Sequence, residues 1–359
     1  MPADRFHDHP FDEGTLTKLQ IFELYTREWL PVFLAQPRPR WKELHLFDFF
    51  AGPGTDSDGE LGSPLRLLRQ LRAVQGLQGW SSVRVVVHLF DADPQKVAAL
   101  RQKVAEAGVS VPDVEVLVEA QDFRTAFAGA RAVLTNPDNA KLVLIDQFGV
   151  EHVSDEAFKA LVGFPTCDVL FFISSSTLHR FRDHPAIKQK IKRPDDYYHV
   201  HLAVLDYYRS LLPDPAHYFL APFSIKKGAN IYGLIFGSAH PLGMDKFLQV
   251  AWKTDEINGE ADFDINRENF VAGQGRLFPP TKVAAFEEDL ERAIRSDDVH
   301  DEAGVVRICF RHGVKPQHAK PVLARLKAER VIECAFQVPQ VDRLKNPRPL
   351  KMLSGEGKP

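Results

Sequence analysis

Apolar positions recur along this chain in two periods, and the switching between them predicts its architecture. Leu19, Phe22, Tyr25, Trp29 and Phe33 fall three or four residues apart, one stripe that predicts a helix over 15–34, ended by Pro37–Arg40. Short runs of Val, Leu, Ile and Phe follow at 44–49, 83–89, 114–118, 141–145 and 169–173, each closing on polar residues, with helical stretches between them. Ser63 as N-cap with Pro64 at the first helical position, and Asp93 followed by Pro94, mark two helix starts. Apolar strands alternating with helices predict a parallel sheet covered on both faces. Two later runs, 218–225 and 230–238, are separated only by Lys226-Lys227-Gly228-Ala229, too short for a helical crossover. They predict an antiparallel hairpin closing the sheet. Residues 258–280 carry many helix breakers and read as a linker or an active-site loop. Beyond them, helices over 301–311 and 316–330 around His312-Gly313-Val314-Lys315, then a first wing strand over 331–338, predict a winged helix. The expected division is an N-terminal helical segment (1–40), an α/β Rossmann-like domain (41–275) and a C-terminal helical, winged-helix-like module (281–359).

The strand ends carry the candidate chemistry. The first strand runs into Asp48-Phe49-Phe50-Ala51-Gly52-Pro53-Gly54, and a parallel strand that breaks into glycines brings backbone close to a nucleotide-like ligand. Ser57 stands where a third glycine would complete the dinucleotide fingerprint, which disfavours a nicotinamide cofactor. The D-x-F-x-G-x-G form instead resembles the first motif of class I methyltransferases, which bind S-adenosylmethionine. A parallel sheet ending in a hairpin is the pattern of that fold too. Asp48, Phe50, Ala51, Gly52 and Gly54 are then expected around the methionine part of the donor. Asp91 and Ala92 are expected at the ribose, and Gln121 and Asp122 at the adenine. Asp122 reads equally well as a plain helix cap. Asp146-Gln147-Phe148-Gly149 closes the fourth strand where amino-group methyltransferases carry Asp-Pro-Pro-aromatic. Asp146 and Phe148 are the candidate catalytic pair, the acid accepting from a base amino group and the ring stacking on the base. The equally weighted alternative is a buried acid with Phe148 in the core.

Charge adds one feature. The formal net charge is −3, but twelve Lys/Arg against six Asp/Glu from Asp301 to Pro359 leave that tail at +6 and the rest at −9. A basic module on an acidic body suggests a polyanion partner. Arg180, Arg182, Lys226, Lys227 and Lys253 are candidates to line a nucleic-acid channel with Trp252 beside them, the alternative being a solvated charged face with Trp252 packed inward. Lys315, Lys320 and Arg325 are candidates on or beside the expected recognition helix, the even alternative being a protein docking module. Cys167, Cys309 and Cys334 have no metal-ligand spacing, and no metal site is expected. With neither a signal-like N-terminus nor a long apolar run, a cytoplasmic setting is expected.

Taken in order, Thr17-Lys18-Leu19, Phe49–Gly54 with Gly62-Ser63-Pro64-Leu65, Asp146–Gly149, Phe171–Ser176 with Arg180-Phe181, and Trp252-Lys253 resemble the three-Cys-motif partner proteins, a prokaryotic family. The resemblance implies a methyltransferase-like fold and association with a separate three-cysteine, radical-SAM-like protein. The three cysteines here are not that motif. Two departures stand out. Gln147 replaces the proline after the fourth-strand acid. The insert Thr55–Gly62 is expected to hold the next helix away from the ligand. Two readings follow: a donor-dependent methyltransferase acting on nucleic acid, or a non-catalytic partner subunit of the same fold serving DNA repair or phage defence.

Overall fold

Asp12 caps the first helix, α1 (Glu13–Leu34), by accepting from the Thr15 amide at 2.8 Å. The structure, a computed structural model, describes residues 9–35, 40–75, 83–107, 114–146, 154–173, 200–213, 217–227, 230–256, 259 and 282–353. The strands are β1 (Glu43–Asp48), β2 (Arg84–Asp91), β3 (Val114–Ala120), β4 (Asn139–Asp146), β5 (Cys167–Ile173), β6 (Phe219–Lys227) and β7 (Asn230–Ser238). They form one sheet in the order β3-β2-β1-β4-β5-β7-β6, with β7 alone running against the rest. The strand order reverses between β1 and β4, which opens a crevice above their C-terminal ends.

The interposed helices are α2 (Ser63–Gln75), α3 (Pro94–Glu106), α4 (Phe123–Gly129), α5 (Arg131–Thr135), α6 (Asp155–Gly163), α7 (Val200–Ser210) and α8 (Pro241–Thr254). Side chains alternate across the sheet with period two. Leu44, Leu46, Leu142, Leu144 and Leu170 pack under α1, α2 and α8. Phe47, Val143, Ile145, Val169 and Phe171 pack under α4, α6 and α7. Ser63 does not cap α2. The helix already includes it, and its hydroxyl donates to Asp48 instead. Asp93 does cap α3, accepting from the Gln95 amide at 2.8 Å.

The C-terminal part comprises α9 (Lys282–Arg295), α10 (Glu302–Arg311), α11 (Ala319–Ala328) and the antiparallel pair β8 (Ile332–Cys334) and β9 (Leu350–Met352), with a single bridge joining Asp301 to Pro349. Sequence reading missed α9, whose Phe286, Leu290 and Ile294 recur every four residues and are fully buried. The expected wing strand over 331–338 shortens to three residues. Phe336 turns into the core, and Pro339 has no N–H to continue a ladder. The fully buried Glu302 fastens the intervening chain, accepting from the Gln340 amide at 2.8 Å and Arg348 Nε at 2.9 Å.

One apolar cluster runs from α1 through the sheet into α9, α10 and α11. Trp252 of α8, offered by the sequence as a possible channel aromatic, is buried and donates its indole N–H to the Gly313 carbonyl at 3.0 Å. Among the described residues, no helix is long and apolar enough to cross a membrane.

On the α4 face, His45, Phe47 and Phe49 of β1 and its extension stack beside His88 and Phe90 of β2, with Phe47 and His88 centroids 4.3 Å apart. His45 Nδ1 and His88 Nε2 share a hydrogen bond at 3.0 Å. Burial pushes His88 down to about 3, and the neighbouring His45 adds to it. A folded-state value below the unfolded one means the native state binds fewer protons, so stability is lost as pH falls below about 6.5. Between pH 7.5 and pH 5 this group is expected to remove about 2 kcal/mol. His88→Phe preserves the stack and should flatten that loss in urea unfolding at the two pH values. Equal losses in parent and variant would reject the assignment.

Candidate functional site

Four strands deliver their last residues to one edge: Asp48 from β1, Asp91 from β2, Ala120 before Gln121 from β3, and Asp146 from β4. The loop after β1 crosses the end of β2. Ala51 N–H donates to the Phe90 carbonyl at 2.8 Å, and Gly52 N–H to Asp91 Oδ2 at 3.0 Å. Gly52 and Gly54 have φ of 62° and 92°, in the left-handed region where a side chain strains the backbone. Asp91 Oδ1 accepts from the Asp93 amide at 2.9 Å. A carboxylate offers about four lone pairs, so this partly exposed group keeps acceptor capacity toward the crevice.

The insert after Gly54 does not push α2 away. Its two ends meet, with Gly62 N–H donating to the Gly54 carbonyl at 2.8 Å and Thr55 bridging Leu61. A Cβ on Gly62 would lie 3.1 Å from that carbonyl, tighter than an ordinary contact. The excursion is wound on Asp56, which accepts from the amides of Phe11, Asp58 and Glu60. Backbone closure therefore returns α2 to the glycines, and Ser63 Oγ reaches Asp48 Oδ2 at 2.6 Å.

Asp48 is placed differently from its expected role. It is fully buried, with Ser63 on one oxygen and the Phe50 amide on the other at 3.1 Å. It shapes the loop and presents no carboxylate to the crevice. Burial pushes its carboxyl up to about 7; the two hydrogen bonds pull it down, and the charges of Asp146 and Asp91 push it up again. Phe50 lies near-parallel to Phe123 at 5.8 Å. Gln121 donates its backbone N–H to the Asp91 carbonyl at 3.0 Å and its side-chain amide to Glu119. Ala92 is exposed beyond β2. Asp122 is the N-cap of α4, and the Thr125 amide at 2.9 Å holds its carboxyl below the usual range.

Asp146 brings in a residue that sequence reading did not assign to the site. Lys18 of α1, almost wholly buried, bonds Asp146 Oδ2, and its ammonium lies 4.7 Å from the centre of the Phe172 ring. Asp146 Oδ1 is buried and has no hydrogen-bond partner among the described residues. The signal was present in Thr17-Lys18-Leu19: a lysine inside an apolar helical stripe needs a buried anion. Phe148, Arg180 and Arg182 lie outside the described residues, and Lys226 and Lys227 close β6, described as backbone there. Lys253 and Lys320 are exposed on α8 and α11. Lys315 sits over the Trp252 ring at 5.8 Å, and Arg325 pairs with Glu291 at 2.7 Å. The structure thus gathers the glycine-loop residues and Asp146 on one edge.

The sheet, with β7 reversed between β5 and β6, is the parallel sheet closed by an antiparallel hairpin that the sequence predicts. Among solved structures, the chain aligns with EvdMO1 at 13% identity and a TM-score of 0.33, covering 77% of this chain and 51% of that one. It thus spans about half of EvdMO1. A SAM-dependent methyltransferase from Agrobacterium tumefaciens aligns at 9% identity and a TM-score of 0.34, over 63% of this chain and 62% of that one. A magnesium protoporphyrin IX methyltransferase from Synechocystis PCC 6803, with SAH bound, aligns at 11% and 0.33, over 65% and 89%. No family model and no curated protein matches the chain, so the resemblance to three-Cys-motif partner proteins gains no support there.

Removing one member of a buried ion pair strands the other. Lys18→Met is therefore expected to cost about 3 kcal/mol in denaturant unfolding, and Lys18→Met with Asp146→Leu to recover most of it. An unchanged midpoint for Lys18→Met would show that the pair does not hold α1 in place.

Proposed function

We propose that this chain binds S-adenosylmethionine above β1, β2 and β3, and that Asp146 orients an acceptor group for methylation. The observation that carries the reading is the Gly52–Asp91 clasp over the end of β2, next to the crevice where strand order reverses between β1 and β4. Three features of the edge fit such a ligand. The glycine backbone is bare of side chains, Asp91 keeps acceptor capacity, and Asp146 Oδ1 is a buried acceptor with no donor among the described residues. Asp91 would hold the ribose hydroxyls, the backbone of Ala51 and Gly52 the methionine part, and Gln121 with Asp122 the adenine side. Bound there, the donor supplies a methyl group on a sulfonium sulfur, and transfer to a nucleophile depends on alignment. Lys18 fixes one Asp146 oxygen, which directs the other toward an acceptor N–H.

Nucleic acid is the proposed acceptor. Three helices followed by the β8–β9 hairpin follow the order of a winged helix, and the stretch from Asp301 carries the +6 charge. Association with a three-cysteine radical-SAM-like protein belongs to the same proposal and rests on the sequence motifs alone. The buried Lys18–Asp146 pair favours a second reading, because a purely structural ion pair accounts for Asp146 in a non-catalytic partner subunit.

Calorimetric titration of S-adenosylmethionine and S-adenosylhomocysteine into the parent and an Asp91→Ala variant tests the donor site. Micromolar binding, about −8 kcal/mol, lost in the variant is expected. No binding at millimolar concentration would reject the donor reading. Tritium transfer from labelled donor into total bacterial RNA or DNA, abolished by Asp146→Asn, would support catalysis. Donor binding without any transfer would favour the partner subunit.

A further inference from the structure

A second cleft, of about 460 Å³, lies at the far end of the sheet, where the start of β6 meets α7 and α10. Its volume is in the range of small-molecule sites. The wall carries three arginines, Arg209, Arg307 and Arg311, against one lining carboxylate, Asp206. Phe219, half-buried, packs edge-on against the buried Phe310 at 5.2 Å and gives the cleft an aromatic floor.

The charges here are poorly compensated. Arg209, with a side chain 30% exposed, donates to the Arg311 carbonyl at 3.0 Å and lies 3.7 Å from the half-exposed Asp206. Burial pushes its guanidinium down; Asp206 opposes this, while Arg311 adds to it. Arg311 pairs with Asp289 at 2.6 Å, but Asp289 also serves Arg292 and His312. Arg307 is exposed and makes no ion pair among the described residues. Like-charged guanidiniums held together by carbonyls repel one another until an anion joins them. Their planar forks match phosphate oxygens, and a nearby ring offers a stacking surface to a base.

We propose that this cleft binds a nucleoside phosphate, with Arg307 and Arg311 on the phosphate and Phe219 against the base. The ligand is either a free nucleotide or one unit of a single strand. The proposal shares the nucleic-acid part of the preceding reading and does not depend on donor binding.

The experiment uses the full chain with three probes: adenosine 5′-monophosphate, adenosine, and a fluorescein-labelled short oligoadenylate followed by anisotropy. Affinity for the phosphate-bearing probes is expected to fall with added salt. Arg307→Glu should weaken it about tenfold or more, and Arg307→Lys less, because charge without the fork remains. Thermal midpoint and S-adenosylhomocysteine titration, run in parallel, should not change, which separates this cleft from the donor site. Tighter binding of the oligomer than of the mononucleotide identifies a strand as the source; binding of the mononucleotide alone identifies a free nucleotide. Parent-like affinity in Arg307→Glu, adenosine competing as well as its phosphate, or no probe bound at millimolar concentration would each overturn the proposal.

Discussion

The rest of the structure depends on the requirement that charges carried into the core by α1 find partners. Lys18 and Tyr25 are seven residues apart and so share one face of the helix. Glu23 points about 140° away from Lys18. Lys18 bonds Asp146 at the end of β4, and Tyr25 donates to Asp168 near the start of β5 at 2.7 Å. Asp146 and Asp168 lie on the same face of the sheet, four positions apart in register. The helix therefore runs against the strands, and two polar contacts set its position along its own axis. Glu23 sets its rotation by taking Arg66, Arg69 and Gln70 of α2. Burial pushes the Glu23 carboxyl up, and those donors more than reverse it. An apolar stripe alone would allow the helix to slip by a turn; a stranded lysine or glutamate would not.

The same requirement joins the helix to the chemistry. A charge that fixes α1 also neutralises one oxygen of the fourth-strand acid. The N-terminal segment is thus a wall of the candidate site. The glycine loop shows the complementary principle. Its insert is long, yet loop closure costs little extra with length, and a single Gly62–Gly54 hydrogen bond restores the short strand-to-helix turn.

Most of the sheet was legible because each strand is a local apolar run whose flanks break it. The hairpin followed from a separation too short for a helix. Strand order and the register of Asp146 on Asp168 were not legible, since they depend on contacts between distant segments. For Asp48 the sequence shows an acid at a strand end but not that its lone pairs turn inward to Ser63. Lys18 was visible as a motif and invisible as a site residue, because its anion lies 128 positions away. The α9 helix was missed in the shadow of the breakers before it. The basic cleft has no sequence signature at all. Its arginines come from α7 and α10, about a hundred residues apart, and only packing of β6 against α10 brings them together.

Geometry constrains how the two sites relate. The crevice lies above the C-terminal end of β1, whereas the basic cleft opens beside the start of β6, which runs in the same direction as β1. Four strand spacings and the length of a short strand separate them, roughly 25–30 Å. Trp252 on Gly313 and Phe219 on Phe310 seat the C-terminal helices on the sheet, so this separation belongs to the fold. A nucleotide in the cleft is therefore too far from Asp146 to be the acceptor. The cleft can anchor a strand whose reactive unit lies several nucleotides away, or hold a nucleotide that never reacts. The charges differ between the two places: the crevice edge carries the carboxylates of Asp91 and Asp146, the latter paired with Lys18, and the cleft is lined by three arginines.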